Sequence, residues 1–220
     1  MKIKVCGITR LEQLIELDRI GIDYAGFIFY SQSSRYVLDK LKSLDVRTAG
    51  LKIEKVGVFV NASEEDIMTL VTLYGLDLVQ LHGDETPAFC NHISSHVKVM
   101  KAFHLTKRNE ENIDWMIKPY EEVCDYYLFD TRIAGKYGGS GEKFDWSVLA
   151  QNKINKPFFL SGGISLEDAE TISTFKHPFL FALDINSKFE TTAGVKNMEQ
   201  VRQFRELITK GISAKVNSKT

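Results

Sequence analysis

From its second residue the chain alternates, Lys2-Ile3-Lys4-Val5, which places apolar side chains on one face of a strand and turns that face to a core. Cys6 and Gly7 close the strand, and a helix is predicted over 11–20. The same plan recurs down the chain. Residues 24–29 are almost wholly apolar, as a strand buried on both faces is. A serine-rich loop, 30–36, leads to a short helix over 39–44, and a third strand is predicted over 55–60. Asn61 or Ser63 caps the next helix, 64–74, whose first turn is acidic. A fourth strand, 78–81, is followed by a helix from about Pro87, and a fifth, 97–103, by a helix over 109–120 that Pro119 stops. The sixth strand, 126–130, runs into a glycine-rich loop, 135–141, and a helix from about Asp145. The seventh and eighth strands fall at 158–161 and 179–184. Their helices fall at 166–173, capped by Ser165, and at 198–210.

Eight strand-then-helix units in this length predict the α/β class and a single-domain (β/α)8 TIM barrel. An open doubly wound sheet rarely needs eight units, and its glycine fingerprint is missing from the first turn, Gly7-Ile8-Thr9-Arg10. The barrel is expected to occupy residues 1–210, with 211–220 a polar, frayed tail.

Composition narrows the function. Of 220 residues, 44% are hydrophobic and 26% charged, which fits one sizeable core. A formal net charge of −1 argues against nucleic acid or a membrane surface as partner and favours a small molecule. The chain starts without the apolar stretch of a signal peptide and has no run long enough to cross a bilayer. Cys6, Cys90 and Cys124 are an odd set without paired spacing, so a reduced, cytoplasmic setting is expected.

In a barrel the C-terminal ends of the strands form one ring, where strand-to-helix loops converge. That ring would collect Cys6, Arg35, Asn61, Gln80, His82, Asp130, the Gly162-Gly163-Ile164 turn and Asp184. Most free cysteines are small buried apolar residues, and position alone leaves that reading of Cys6 standing. Asp130 ends its strand at the active face, whereas Asp125 begins it. An apolar ring would raise its carboxyl pKa toward general-acid work, although a helix cap or a loop salt bridge is also common there. Arg35 suits a bidentate carboxylate, or is simply solvated. The glycine turn followed by Ser165 suits a phosphate at a helix N-terminus, while a tight turn with positive φ would ask for the same glycines. His92 and His96 have the i, i+4 spacing of a metal pair without the intervening glutamate of a metalloprotease helix, and are read as surface residues.

The ordered motifs KVCGIT (4–9), GFIFY and SSRYV (26–37), VGVFVN (56–61), VQLHGDE (79–85), LFDT (128–131), GGSGEKFDW (138–146), LSGGIS (160–165) and ALDINSKFE (182–190) span nearly the whole chain. Together they resemble the phosphoribosylanthranilate isomerase family of tryptophan biosynthesis. The resemblance implies an Amadori rearrangement without metal or organic cofactor, on a phosphorylated small molecule; the sequence itself is compatible with a monomer or a homodimer. It implies Asp130 as general acid on the ribose ring oxygen and Cys6 as general base at C2′, with a thiol pKa lowered by its surroundings. By the resemblance Arg35 would bind the anthranilate carboxylate, Asp184 would face the substrate, and Gly162, Gly163, Asn186 and Ser187 would hold the phosphate; by their place on the ring, Gln80 and His82 are expected to line the substrate and Ile164 to join the phosphate turn. Lys188 and Asn197 depart from the family pattern, which has a glycine and an aspartate there. A lysine acid would signal indole-glycerol-phosphate synthase, metal-binding histidines a ribulose-phosphate epimerase, and loss of the acid or base a non-catalytic barrel. The glycine-rich loop, 131–141, is expected to close over the substrate.

Overall fold

A computed structural model describes residues 1–106, 110–130 and 146–217. Eight parallel strands close in chain order: β1 (Lys2–Cys6), β2 (Tyr24–Ile28), β3 (Glu54–Phe59), β4 (Leu78–Leu81), β5 (Lys98–His104), β6 (Tyr126–Asp130), β7 (Phe158–Ser161) and β8 (Leu180–Ile185). Helices α1 (Leu11–Arg19), α2 (Ser43–Thr48), α3 (Glu64–Tyr74), α4 (Pro87–Ser94), α5 (Ile113–Ile117), α6 (Ser147–Gln151), α7 (Ala169–Thr174) and α8 (Met198–Asn217) follow them in turn. The expected (β/α)8 barrel is what forms. Strand β8 pairs back onto β1 in parallel, Ala182 opposite Lys2 and Asp184 opposite Lys4, which an open sheet cannot do.

Side chains alternate between two apolar clusters. Leu78, Leu128, Phe159 and Ala182 belong to one, whereas their chain neighbours Val79, Phe129, Leu160 and Leu183 pack in the other with Leu14, Leu17 and Ile67 of the helices. With a period of two, the first cluster fills the barrel and the second lies between barrel and helices. Ile3 and Val5 belong to the helix side, so Lys4 and Cys6 point into the barrel. The lysine face of β1 therefore turns into the barrel: Lys4 is wholly buried, while Lys2 at the strand's start stays part-exposed. Tyr24, Phe159, Phe181 and Tyr126 edge one another in the interior at ring separations of 5.2 to 6.4 Å and fill the end of the barrel away from Cys6.

Several boundaries move. The helix expected at 39–44 opens only at Ser43, because Leu41 turns into the core and Lys42 is extended. Ser63 rather than Asn61 caps α3, accepting from the Asp66 N–H, and Asn61 instead takes a positive φ of 50°. The segment at 109–120 breaks into a 3-10 turn, α5 and a second 3-10 turn, and Pro119 sits in the first two positions of that last turn, where its missing N–H costs nothing. A 3-10 turn, Leu166–Asp168, precedes the short α7. Helix α8 continues past its expected end at Lys210 to Asn217. An unexpected antiparallel hairpin, β9 (Glu190–Thr192) and β10 (Val195–Lys196), stands between β8 and α8. The loop at 131–141 and its expected closure lie outside the described residues. No helix among the described residues is long and apolar enough to cross a membrane.

Candidate active site

Cys6 ends β1 and is buried, 5% exposed, opposite Gly26 of β2. A Cβ at Gly26 would stand 2.9 Å from the Cys6 sulfur, so glycine is what leaves room for the thiol. One inward position back, Lys4 donates from Nζ to Asp184 Oδ1 at 2.9 Å, and Asp184 Oδ2 accepts from Ser161 Oγ at 3.4 Å. Burial opposes the lysine's charge, yet Asp184 and Cys6 hold its pKa above the ordinary lysine value. For Cys6 burial is the largest influence and pushes the thiol up. Lys4 and Lys196 pull it down and Asp184 adds to the rise, leaving it above the ordinary cysteine value. The expected lowering is thus reversed, because the thiolate would lose more water than two ammonium groups replace.

Across the mouth, Asp130 ends β6, buried and on the inward face that Leu128 also occupies. His82 Nε2 and His104 Nδ1 lie 3.6 and 3.7 Å from Asp130 Oδ2, with the two imidazole rings edge to face at 4.9 Å. Gln80, buried at the end of β4, meets His82 Nδ1 through Nε2 at 2.7 Å, while its Oε1 has no hydrogen-bond partner among the described residues. A buried amide oxygen without a partner among the described residues is suited to a ligand donor. The loop carrying His82 is fixed from below: Glu85 accepts from the Asn61 and Gly83 N–H groups and from Lys101 Nζ at 2.8 Å, all on the helix side of the barrel. His82, His104 and Asp130 have the donor types and spacing that could hold a divalent cation. His92 and His96 are exposed with rings 5.8 Å apart, His92 pairing with Glu64 at 2.8 Å, as surface residues do.

On the third side, Arg35 of the loop after β2 grips Glu190 at the start of the hairpin, Nε at 2.9 and 3.0 Å from the two carboxylate oxygens and Nη2 also on Oε2. Lys196 Nζ donates to Glu190 Oε1 at 2.6 Å and to Asn186 Oδ1 at 2.8 Å. Burial works against the Glu190 charge, but Arg35 and Lys196 keep its carboxyl below the usual range. Burial lowers the Lys196 pKa below the ordinary lysine value despite Glu190. The hairpin is pinned to the barrel by Thr9 Oγ1, which donates to the Gly194 carbonyl at 2.6 Å, and by Gln13, which bonds both backbone groups of Lys196. Gly162 and Gly163 both take positive φ, 100° and 69°, so the turn after β7 does require glycine. Ser165 N–H and Oγ both donate to Asp168 Oδ2 at 2.9 Å, which fixes the end of the turn against the 3-10 helix that follows. Ser187 and Lys188 are exposed, and Asn197 caps α8 by accepting from the Gln200 N–H at 3.2 Å, the work an aspartate would do there.

Lys4, His104, Glu190 and Lys196 were not among the residues the sequence offered. Parity could have found two of them: Lys4 alternates with Ile3 and Val5 as Cys6 does, and His104 sits one inward step beyond Ala102. Glu190 closes the ALDINSKFE motif, but nothing in that stretch points to Arg35 as its partner.

The sequence matches, over residues 3–206, the family described as N-(5'phosphoribosyl)anthranilate (PRA) isomerase. It is 42% identical over 212 residues to the N-(5'-phosphoribosyl)anthranilate isomerase of Parabacteroides distasonis, covering 94% of this chain and 93% of that relative. The chain belongs to the phosphoribosylanthranilate isomerase family. It is an isomerase of tryptophan biosynthesis. The fold agrees: the phosphoribosyl anthranilate isomerase of Thermotoga maritima superposes with a TM-score of 0.82 at 32% identity, over 95% of this chain and 98% of that one. A phosphoribosyl anthranilate isomerase in complex with reduced 1-(o-carboxyphenylamino)-1-deoxyribulose 5-phosphate superposes with a TM-score of 0.78 at 30% identity, over the same shares.

Proposed function

We propose that the chain converts N-(5-phosphoribosyl)anthranilate into 1-(2-carboxyphenylamino)-1-deoxyribulose 5-phosphate, with Asp130 as general acid and Cys6 as general base. The observation that carries this reading is that an acid and a thiol, both buried, project into one barrel mouth from β6 and β1. Asp130 gives its proton to the ribose ring oxygen as the C1′–O bond breaks and the nitrogen lone pair forms C1′=N. Cys6, as thiolate, then removes the C2′ proton; the C2′–H electrons form C1′=C2′, and the C1′=N pair returns to nitrogen. Tautomerisation of the enol gives the ketone. The substrate nitrogen is itself the electron sink, so the chemistry asks for no other.

The remaining side chains divide the substrate between them. Arg35 takes the anthranilate carboxylate, and the Gly162-Gly163-Ile164 turn with Asn186 and Ser187 takes the phosphate. Gln80 Oε1 accepts from a sugar hydroxyl, His82 flanks Asp130, and Asp184 works by holding Lys4 beside the thiol. A buried thiol with a raised pKa leaves a smaller thiolate fraction, but that fraction is the stronger base.

Loss of anthranilate-type fluorescence from freshly made phosphoribosylanthranilate tests the reading. Cys6→Ser and Asp130→Asn are each expected to lower kcat/KM by about 10²–10⁴-fold, the usual worth of a positioned acid or base. Wild-type rates in either variant would take the acid and base away from these residues.

A further inference from the structure

We infer that Glu190 and Lys196 fix Arg35 as a one-sided carboxylate receptor, and that this triad sets the enzyme's preference for a substrate bearing a carboxylate on its aromatic ring. The inference rests on the function proposed above. A guanidinium presents its N–H groups along distinct edges of one plane. Glu190 occupies the Nε side and reaches one Nη2 proton, so that among the described residues Nη1 and the outer Nη2 proton remain for another anion. Glu190 is itself saturated, since Oε1 also accepts from Lys196 Nζ and from the Gly194 N–H at 3.1 Å. An incoming carboxylate would have to strip it from four donors, so Glu190 is a permanent buttress and not a placeholder.

Charge and exposure point the same way. Two cations and one anion leave a single net positive charge, and only Arg35 shows it to solvent: its side chain is 21% exposed, against 4% for Glu190 and 0% for Lys196. An anion therefore meets the guanidinium and not the ammonium. The stem of Arg35 crosses directly over Gly7, where a Cβ would lie 2.6 Å from Arg35 Cδ, so the receptor sits beside the residue that follows Cys6. Lys196 also holds the Asn186 side chain, so the hairpin ties the carboxylate receptor to the loop proposed for the phosphate end. Glu190 and Lys196 are positioning residues, acting through Arg35.

Two substrates and two variants test this: N-(5-phosphoribosyl)anthranilate against N-(5-phosphoribosyl)aniline, which lacks the carboxylate, with wild type, Glu190→Gln and Lys196→Met. The readout is the ratio of kcat/KM for the two substrates. Partial unfolding lowers both rates alike and leaves that ratio unchanged. Wild type is expected to prefer the carboxylate substrate, and both variants to lose at least about tenfold of the preference, mainly through KM. The two substitutions change the local charge in opposite directions, so a purely electrostatic role would move the ratios apart. Opposite movement, an unchanged ratio, or tighter use of the carboxylate substrate by Glu190→Gln would overturn the inference while leaving the reaction intact. A wild type that does not turn over phosphoribosylanthranilate would overturn both.

Discussion

Cys6 carries a conflict between burial and chemistry. The base of the proposed mechanism must shed its proton, yet the apolar wall around this thiol raises its pKa, with Lys4 only partly offsetting the effect. The thiolate fraction therefore climbs with pH through a range above the ordinary cysteine value, and kcat/KM should climb with it. The ascending limb of the pH profile is expected to lie above that value in wild type and to vanish in Cys6→Ser; a limb below it would mean that the surroundings favour the thiolate. Cys6, Asp130 and Arg35 were legible in the sequence because each lies at a strand end or in the loop beyond it, where a barrel must place them. Lys4 was not read as part of the site because a lysine alternating with isoleucine and valine resembles a solvated face. Only closure turns that face inward.

At the scale of the element, what holds the mouth in shape is packing below it and the hairpin beside it. Phe159, wholly buried in β7, lies against Tyr24, Tyr126 and Phe181 in the barrel interior. Phe159→Ala would open a cavity among rings that cannot collapse into it, and a loss of about 3–5 kcal/mol is expected from denaturant unfolding. A loss under 1 kcal/mol would mean that the interior repacks. The strands were legible because their apolar runs are long and bounded by turns. The hairpin was not, because residues 190–196 form a short polar stretch held by Thr9 and Gln13 from the other end of the chain. Arg35 and Glu190 are likewise 155 positions apart, a contact that no local pattern encodes.

The whole molecule repeats one unit eight times, and that count made the architecture readable before any contact was known. What the count does not reveal is how the circle is secured. Lys4 on the first barrel strand and Asp184 on the last barrel strand, β8, form a buried ion pair, so Asp184→Ala would strand an ammonium in the interior. A loss of about 3–5 kcal/mol is expected in chemical denaturation, as when one partner of a buried pair is removed. A change within about 0.5 kcal/mol would show that the ammonium finds water or a new partner. The 180 positions between those partners also have a consequence in time. At about 5–20 residues per second, a ribosome needs roughly 10–40 s after making Lys4 to supply its partner. Until β8 emerges β1 has no partner on that side, so neither the Lys4–Asp184 pair nor the closed mouth around Cys6 can form before the chain is nearly complete.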